Sequence, residues 1–228
     1  MILNHLVNLI FPKVCMGCQS LMLLDEKVIC TTCRHELPLT QQHLNPENEV
    51  YKRFYGRIPL EHASTLMYYH KKGIVQEMIH NLKYRGHEEI GTLVGEWMAE
   101  DLKTTAITQN FDVIIPVPLH KKRLRERGYN QVTTFGNGLA SKLAIPYNPM
   151  LLHRNVYSKT QVTKNLLKRT EITAELFDVV FTEDDHNKHF LLIDDVITTG
   201  STLEACSKAL LKIPGAKISI VCMAMAHS

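Results

Sequence analysis

No apolar run in this chain is long enough to cross a bilayer. The N-terminal stretch Met1–Phe11 is broken by Asn4, His5 and Asn8 and lacks the basic start of a secretory signal. A membrane span and an export signal are therefore both unexpected, which points to the cytoplasm, and the stretch reads as a short helix packed on its neighbours. Strong charge is also missing. A net +3 over 228 residues is too little to argue for a nucleic-acid partner, so the distribution of charge matters more than its total. No internal repeat or low-complexity tract occurs. No glycine-rich loop ends in Gly-Lys-Ser or Gly-Lys-Thr, which excludes a P-loop nucleotide site. The segment Gly136-Asn137-Gly138-Leu139-Ala140-Ser141 half imitates a dinucleotide loop, but it sits inside the helical pattern Val132, Phe135, Leu139, Leu143.

What is present suits one good core and a small accessory module: 45% hydrophobic and 21% charged residues are ordinary for a globular chain of this length. Ala63–Tyr69 and Asp112–Val117 read as strands. Ile74, Val75, Met78, Ile79 and Leu82 fall at helical spacing, as do Ile90, Leu93, Val94, Trp97, Met98 and Leu102. A further helix is expected from about Tyr129 to Leu143, and a last strand over about Lys217–Met225. Alternation of this kind implies an α/β fold with a parallel sheet flanked by helices on both faces. Residues 34–60, rich in proline, asparagine and glutamine, lack sustained periodicity and read as a connection.

Cysteine is concentrated at the front. Cys15-x2-Cys18 and Cys30-x2-Cys33 form two knuckles within nineteen residues, the spacing of a four-cysteine zinc site. So little chain lies between the knuckles that metal ligation would have to supply much of the module's folding free energy. Disulfides are the competing explanation, disfavoured without an export signal, and His35 is a weaker substitute for Cys33. The boundary expected from this layout is a zinc module over residues 1–45 and the main domain over 46–228. Cys206 and Cys222 lie on apolar faces and read as packed thiols.

The densest chemistry lies in Leu191-Leu192-Ile193-Asp194-Asp195-Val196-Ile197-Thr198-Thr199-Gly200-Ser201-Thr202. An unbroken apolar strand from Phe190 ends at two carboxylates, at the sheet edge where ligands of open α/β folds bind. Thr198, Thr199, Ser201 and Thr202 offer hydroxyls, Gly200 lets the backbone come close, and the following helix presents its N–H groups, so a phosphate suits the loop. Ser201 and Glu204 alternatively read as a capping box.

A second polar block follows the strand at Ile114. Val117 and Pro118 lead into Lys121-Lys122-Arg123-Leu124-Arg125-Glu126-Arg127, five cations and one acid, the strongest positive patch in the chain. A solvated basic turn would account for it; so would a pyrophosphate or the backbone of single-stranded nucleic acid. Lys83 and Arg85 flank Tyr84 after a helical pattern, either as a favourable helix end or as an arm toward a ligand.

The diacid segment closely resembles the phosphoribosyl-pyrophosphate (PRPP) signature of type I phosphoribosyltransferases. That resemblance implies that Asp194 and Asp195 hold the ribose hydroxyls, that Val196 and residues Thr198, Thr199, Gly200, Ser201 and Thr202 form the loop around the 5-phosphate, and that magnesium accompanies the ligand. Nearly the whole chain is similar to the bacterial ComF (ComFC-type) competence family: the four-cysteine knuckle, Leu82-Lys83-Tyr84-Arg85-Gly86, Pro116-Val117-Pro118-Leu119-His120, Arg127-Gly128-Tyr129-Asn130-Gln131 and the PRPP signature come in the family's order. This resemblance implies a phosphoribosyltransferase-like domain with a zinc finger, acting on internalised single-stranded DNA in the cytoplasm during natural transformation. Pro116–Pro118 would form the pyrophosphate-side loop. In a transfer reaction Asp194 and Asp195 would stabilise charge on the sugar, while Lys121, Arg123 or Arg127 would face the departing pyrophosphate, with no acceptor specified. A non-catalytic single-strand-binding accessory protein with a sensory or vestigial PRPP site is the alternative, its platform formed by the zinc module, the basic segment and Tyr129. A third role for the zinc module is docking a DNA helicase or recombination mediator. Thr160-Gln161, Arg169 and Phe177 match the family, with Gln161 and Arg169 as possible site-lining residues, but Ile172 stands where the family has asparagine, so no role of that asparagine carries over.

Overall fold

A computed structural model describes residues 12–155 and 176–226. The expected helix at Met1–Phe11 and the family residues Gln161, Arg169 and Ile172 lie outside them. In chain order the elements are α1 (Thr31–His35), α2 (Glu49–Phe54), β1 (His62–Tyr69), α3 (Ile74–Tyr84), α4 (Glu89–Lys103), β2 (Val113–Pro116), α5 (Lys121–Arg127), α6 (Val132–Leu143), β3 (Leu152–Arg154), β4 (Phe177–Val179), β5 (His189–Ile197), α7 (Ser201–Leu210) and β6 (Lys217–Ala226).

The main sheet runs β1-β6-β5-β2 with every pairing parallel. Its two central strands are buried along almost their whole length, and their apolar runs Phe190–Ile193 and Ile220–Ala226 suit a strand covered on both faces. Side chains of a strand alternate between faces, so Leu191 and Ile193 of β5 join α3, α4 and α6 in one cluster, while Phe190 and Leu192 join α2, α7 and the small antiparallel pair β3–β4 in the other. This is the α/β architecture the alternating pattern predicted. The decoy segment is indeed helical: Gly138 of α6 meets α4 so closely that a Cβ would lie 2.6 Å from the Thr92 carbonyl oxygen.

The cysteine module joins the first of these clusters. Cys15, Ile29, Cys33 and Leu37 are buried together with Val75 and Met78 of α3. Gly17 sits at the tightest point, where a Cβ would come within 2.8 Å of Ile74 and 3.1 Å of the Cys33 sulfur.

Three local expectations are corrected. Residues 34–60 connect, but they contain α2, whose Val50 and Phe54 are almost wholly buried. Six residues are too few to show a period; the helix is specified by Asn48, whose side-chain oxygen caps the amides of Val50 and Tyr51 while its amide donates to the carbonyls of Gln42, Asn45 and Ala63. The basic segment is a helix and not a turn. No residue of α5 is buried, so it carried no hydrophobic pattern to read, and it stops at Gly128 with φ of 79°. The capping box at Ser201 is absent: Gly200, at φ of 78°, occupies the cap position, and Glu204 instead pairs with Arg57 and with Lys208 at 2.7 Å.

Candidate functional site

The carboxyl ends of all four parallel strands open into one cavity of about 460 Å³, lined among others by Tyr69, Val117, Pro118, Asp194, Asp195, Val196, Thr198, Thr202 and Ala226. Because Asp194 and Asp195 are consecutive in a strand, they leave it toward opposite faces. Asp195 follows Ile193 toward α3 and is only 6% exposed. Its Oδ2 lies 2.9 Å from Lys83 Nζ and accepts from the Gln131 side-chain amide. Gln131, itself buried, accepts from Arg127 at 2.7 Å, and Arg127 in turn stacks on Tyr84, 5.1 Å from its ring centroid. The basic helix is thus tied to the acid pair by one continuous polar chain.

Asp194 follows Leu192 toward α7, opposite Cys222 in the sheet register. Burial there, with the Asp195 charge beside it, pushes its carboxyl up to about 8. Its oxygen accepts from the Asp195 backbone amide at 2.8 Å. The thiols of Cys206 and Cys222 are fully buried, and burial first, with Asp194 adding to it, raises both well above the ordinary range. They are packed core groups, as expected.

Thr198, Thr199, Gly200, Ser201 and Thr202 curl around a small cup of about 50 Å³ that Asp194 also borders. The Thr199 and Ser201 hydroxyls are 3.0 Å apart at its rim. Hydroxyls, helix N–H groups and a positive-φ glycine make this cup chemically suited to a phosphate.

The cations divide. Lys83, Arg123 and Arg127 line the cavity, joined by Arg154, which the sequence did not single out. Lys121 does not: it lines an adjoining groove of about 790 Å³ with Lys122, Leu124, Arg125 and Met150. Arg85 turns away, bonding Glu77 at 3.1 Å and Asn81 at 2.9 Å along its own helix. It lies two positions on from Lys83, so on a helix the two side chains point about 160° apart. Gln131 belonged to a recognised block but had no assigned role; a buried amide facing a carboxylate gives no signal in a linear sequence. Arg154 depends on the β3–β4 pair, which is too short to announce itself. Tyr129 is half-buried, and its hydroxyl is bonded to the Leu82 carbonyl.

Away from the cavity, the sulfurs of Cys15, Cys18, Cys30 and Cys33 all lie within 4.8 Å of one another, with Cys18 and Cys30 3.8 Å apart. Zinc–sulfur bonds of about 2.3 Å in a tetrahedron set ligand sulfurs roughly 3.8 Å from each other. Backbone amides of Gly17 and Cys30 donate to the Cys15 sulfur at 3.3 and 3.2 Å. All six cysteines of the chain are free thiols, and the four at the front fit a metal ion such as zinc. His35 is not among the clustered groups. No helix of the described residues is long and apolar enough to cross a membrane.

The parallel sheet flanked by helices, with the diacid loop at a strand end, is a type I phosphoribosyltransferase-like fold, and residues 132–228 match the phosphoribosyl transferase domain family. Across nearly its full length the chain is also related to the competence proteins its motif order resembles. It is 25% identical over 215 residues to competence protein F of Haemophilus influenzae, covering 90% of this chain and 94% of that one. It is 28% identical over 203 residues to competence protein ComFC of Bacillus subtilis, covering 88% and 78%. Among solved structures, adenine phosphoribosyltransferase from Leishmania tarentolae aligns with a TM-score of 0.39 at 14% identity, over 79% of this chain and 89% of that one.

Proposed function

We propose that this protein binds PRPP, or a closely related phosphoribosyl ligand, in the strand-end cavity, and that it acts in the cytoplasm on single-stranded DNA taken up during natural transformation. The observation that carries the ligand is the meeting of Asp194, Asp195, Lys83, Arg123, Arg127 and the hydroxyl loop around one cavity. The cup takes the 5-phosphate, the acid pair takes the ribose diol, and the arginines with the Val117–Pro118 turn face the pyrophosphate. Magnesium would arrive with the ligand, since diol and pyrophosphate oxygens are the hard donors it prefers, and would neutralise pyrophosphate charge. In a transfer reaction an acceptor's electron pair would form the new bond at the anomeric carbon as the bond to pyrophosphate breaks, with the acid pair favouring the positive charge that develops on the sugar.

The names of the related proteins support the role in competence. For single-stranded DNA, the supporting observation is the groove beside the cavity, where Lys121, Lys122 and Arg125 surround the exposed apolar side chains of Leu124 and Met150. The zinc module, residues 1–45, then serves as a docking element packed on the domain of residues 46–228, with a helicase or recombination mediator as its partner.

Calorimetric titration with PRPP and magnesium tests the ligand. Wild type should bind, and Asp194→Asn with Asp195→Asn should abolish binding while the thermal transition persists; undiminished affinity in that double variant would place the ribose elsewhere. Release of pyrophosphate in the presence of nucleobases, amines or DNA ends separates a transferase from a sensor.

A further inference from the structure

The loop that forms the phosphate cup is held from behind by two arginines of a segment that has no part in the diacid motif. Arg53, on α2, donates one guanidinium nitrogen to the Thr198 carbonyl and the other to the Ala226 carbonyl at 3.1 Å. Arg57, four residues on, donates to the Thr199 carbonyl at 3.3 Å and to the Arg53 carbonyl at 3.0 Å, and it pairs with Glu204 of α7. Between them Phe54 packs under Gly200, where a Cβ would lie 3.0 Å from its ring.

A trans peptide unit is planar with its C=O and N–H pointing opposite ways. Fixing the carbonyls of Thr198 and Thr199 against the arginines therefore turns the N–H groups of Thr199 and Gly200 to the other side of the loop. Two acceptor oxygens are thereby kept away from a bound anion, and donors are offered in their place. The guanidinium charges also lie immediately behind the loop, where they favour an anion in front of it.

We propose that Arg53 and Arg57 are positioning residues for phosphate recognition: they hold the Thr198–Gly200 backbone in its anion-accepting orientation without touching the ligand. This rests on the reading of that loop as the 5-phosphate site. The fork of Arg53 spans two carbonyls from different strand ends, which a single lysine ammonium on a shorter reach does not reproduce. Arg57 lies on the surface, so its removal leaves the core intact.

The test is calorimetric titration of the full-length, zinc-loaded protein with ribose 5-phosphate and, separately, with PRPP and magnesium, for wild type, Arg53→Ala, Arg53→Lys and Arg57→Ala. The expected result is affinity at least tenfold weaker for Arg53→Ala and severalfold weaker for Arg57→Ala, by the same factor for both ligands because the phosphate is what they share. Arg53→Lys should stay weak. Thermal unfolding monitors the fold throughout, and Arg57→Ala keeps the test open if Arg53→Ala does not fold. Wild type binding neither ligand would remove the phosphate-site reading itself. Wild-type binding with unchanged affinity in folded Arg53→Ala or Arg57→Ala would overturn the positioning role alone, and full recovery in Arg53→Lys would reduce that role to charge.

Discussion

Lys83 Nζ and Asp195 Oδ2 lie 2.9 Å apart, joining the last turn of α3 to the end of the central strand β5 across the floor of the cavity. Both groups are largely withdrawn from water, and among the described residues Gln131 is the other side chain bonded to that carboxylate. Removing the ammonium would leave a nearly buried charge with a neutral partner.

Lys83→Ala is therefore expected to destabilise the fold by about 1–3 kcal/mol, the cost of leaving a charged group under-satisfied. Asp195→Asn in the same background should recover part of the loss, since it removes the stranded charge. Urea unfolding of the two single variants and the double variant measures this coupling; strictly additive effects would show that the pair contributes nothing.

Asp194 carries a carboxyl pushed up to about 8 by burial and by Asp195 beside it. The folded form thus holds a proton that the unfolded chain releases near 4, and its contribution to stability is lost as pH rises from about 4 through 8. Asp194→Asn should accordingly stabilise the ligand-free protein above pH 8, by about 1–3 kcal/mol once partial access to water is allowed for. If PRPP is held by the carboxylate form, wild-type affinity should climb toward a plateau above pH 8. Thermal melts and titrations from pH 6 to 9 read both, and a flat affinity profile would contradict the second.

His62, buried on β1 and bonded to Ser64 at 2.8 Å, has its pKa lowered to about 4 by burial, with the charges of His43 and His189 adding to it. Here the unfolded chain binds the proton more readily. Stability should be intact above pH 6.5 and fall as the pH drops toward 4, by about 3 kcal/mol in full. His62→Gln should flatten this acid limb, as urea midpoints between pH 4 and 7 would reveal.

If Cys15, Cys18, Cys30 and Cys33 hold a metal ion, its chelation should do more than unravel the module, because Cys15 and Cys33 share a core with Val75 and Met78. Hydrogen exchange in EDTA is expected to accelerate across residues 13–37 and in α3 while β5 and β6 stay protected. Freshly purified protein should contain one zinc per chain by elemental analysis. A metal-free preparation with native melting behaviour would remove the structural role of the ion.

The strand-end diacid, the helices with sustained apolar spacing and the cysteine knuckles were all legible because each is a contiguous pattern whose residues carry its meaning. What escaped the sequence depends on partners distant in the chain. Arg53 and Arg57 look like ordinary surface cations until the sheet brings Thr198 and Thr199 next to them, and Gln131 gains its role only through Asp195. Arg85, read from the sequence either as a helix end or as an arm toward a ligand, is the former: it lies two positions beyond Lys83, and the helix turns it toward Glu77.

The most direct measurement is a crystal structure of the full chain grown with PRPP and magnesium. The 5-phosphate is expected inside the Thr198–Thr202 cup, the ribose hydroxyls on Asp194 and Asp195, and the pyrophosphate toward Arg123 and Arg127. An empty cup, or a ligand bound elsewhere with both aspartates directed at other partners, would contradict that placement.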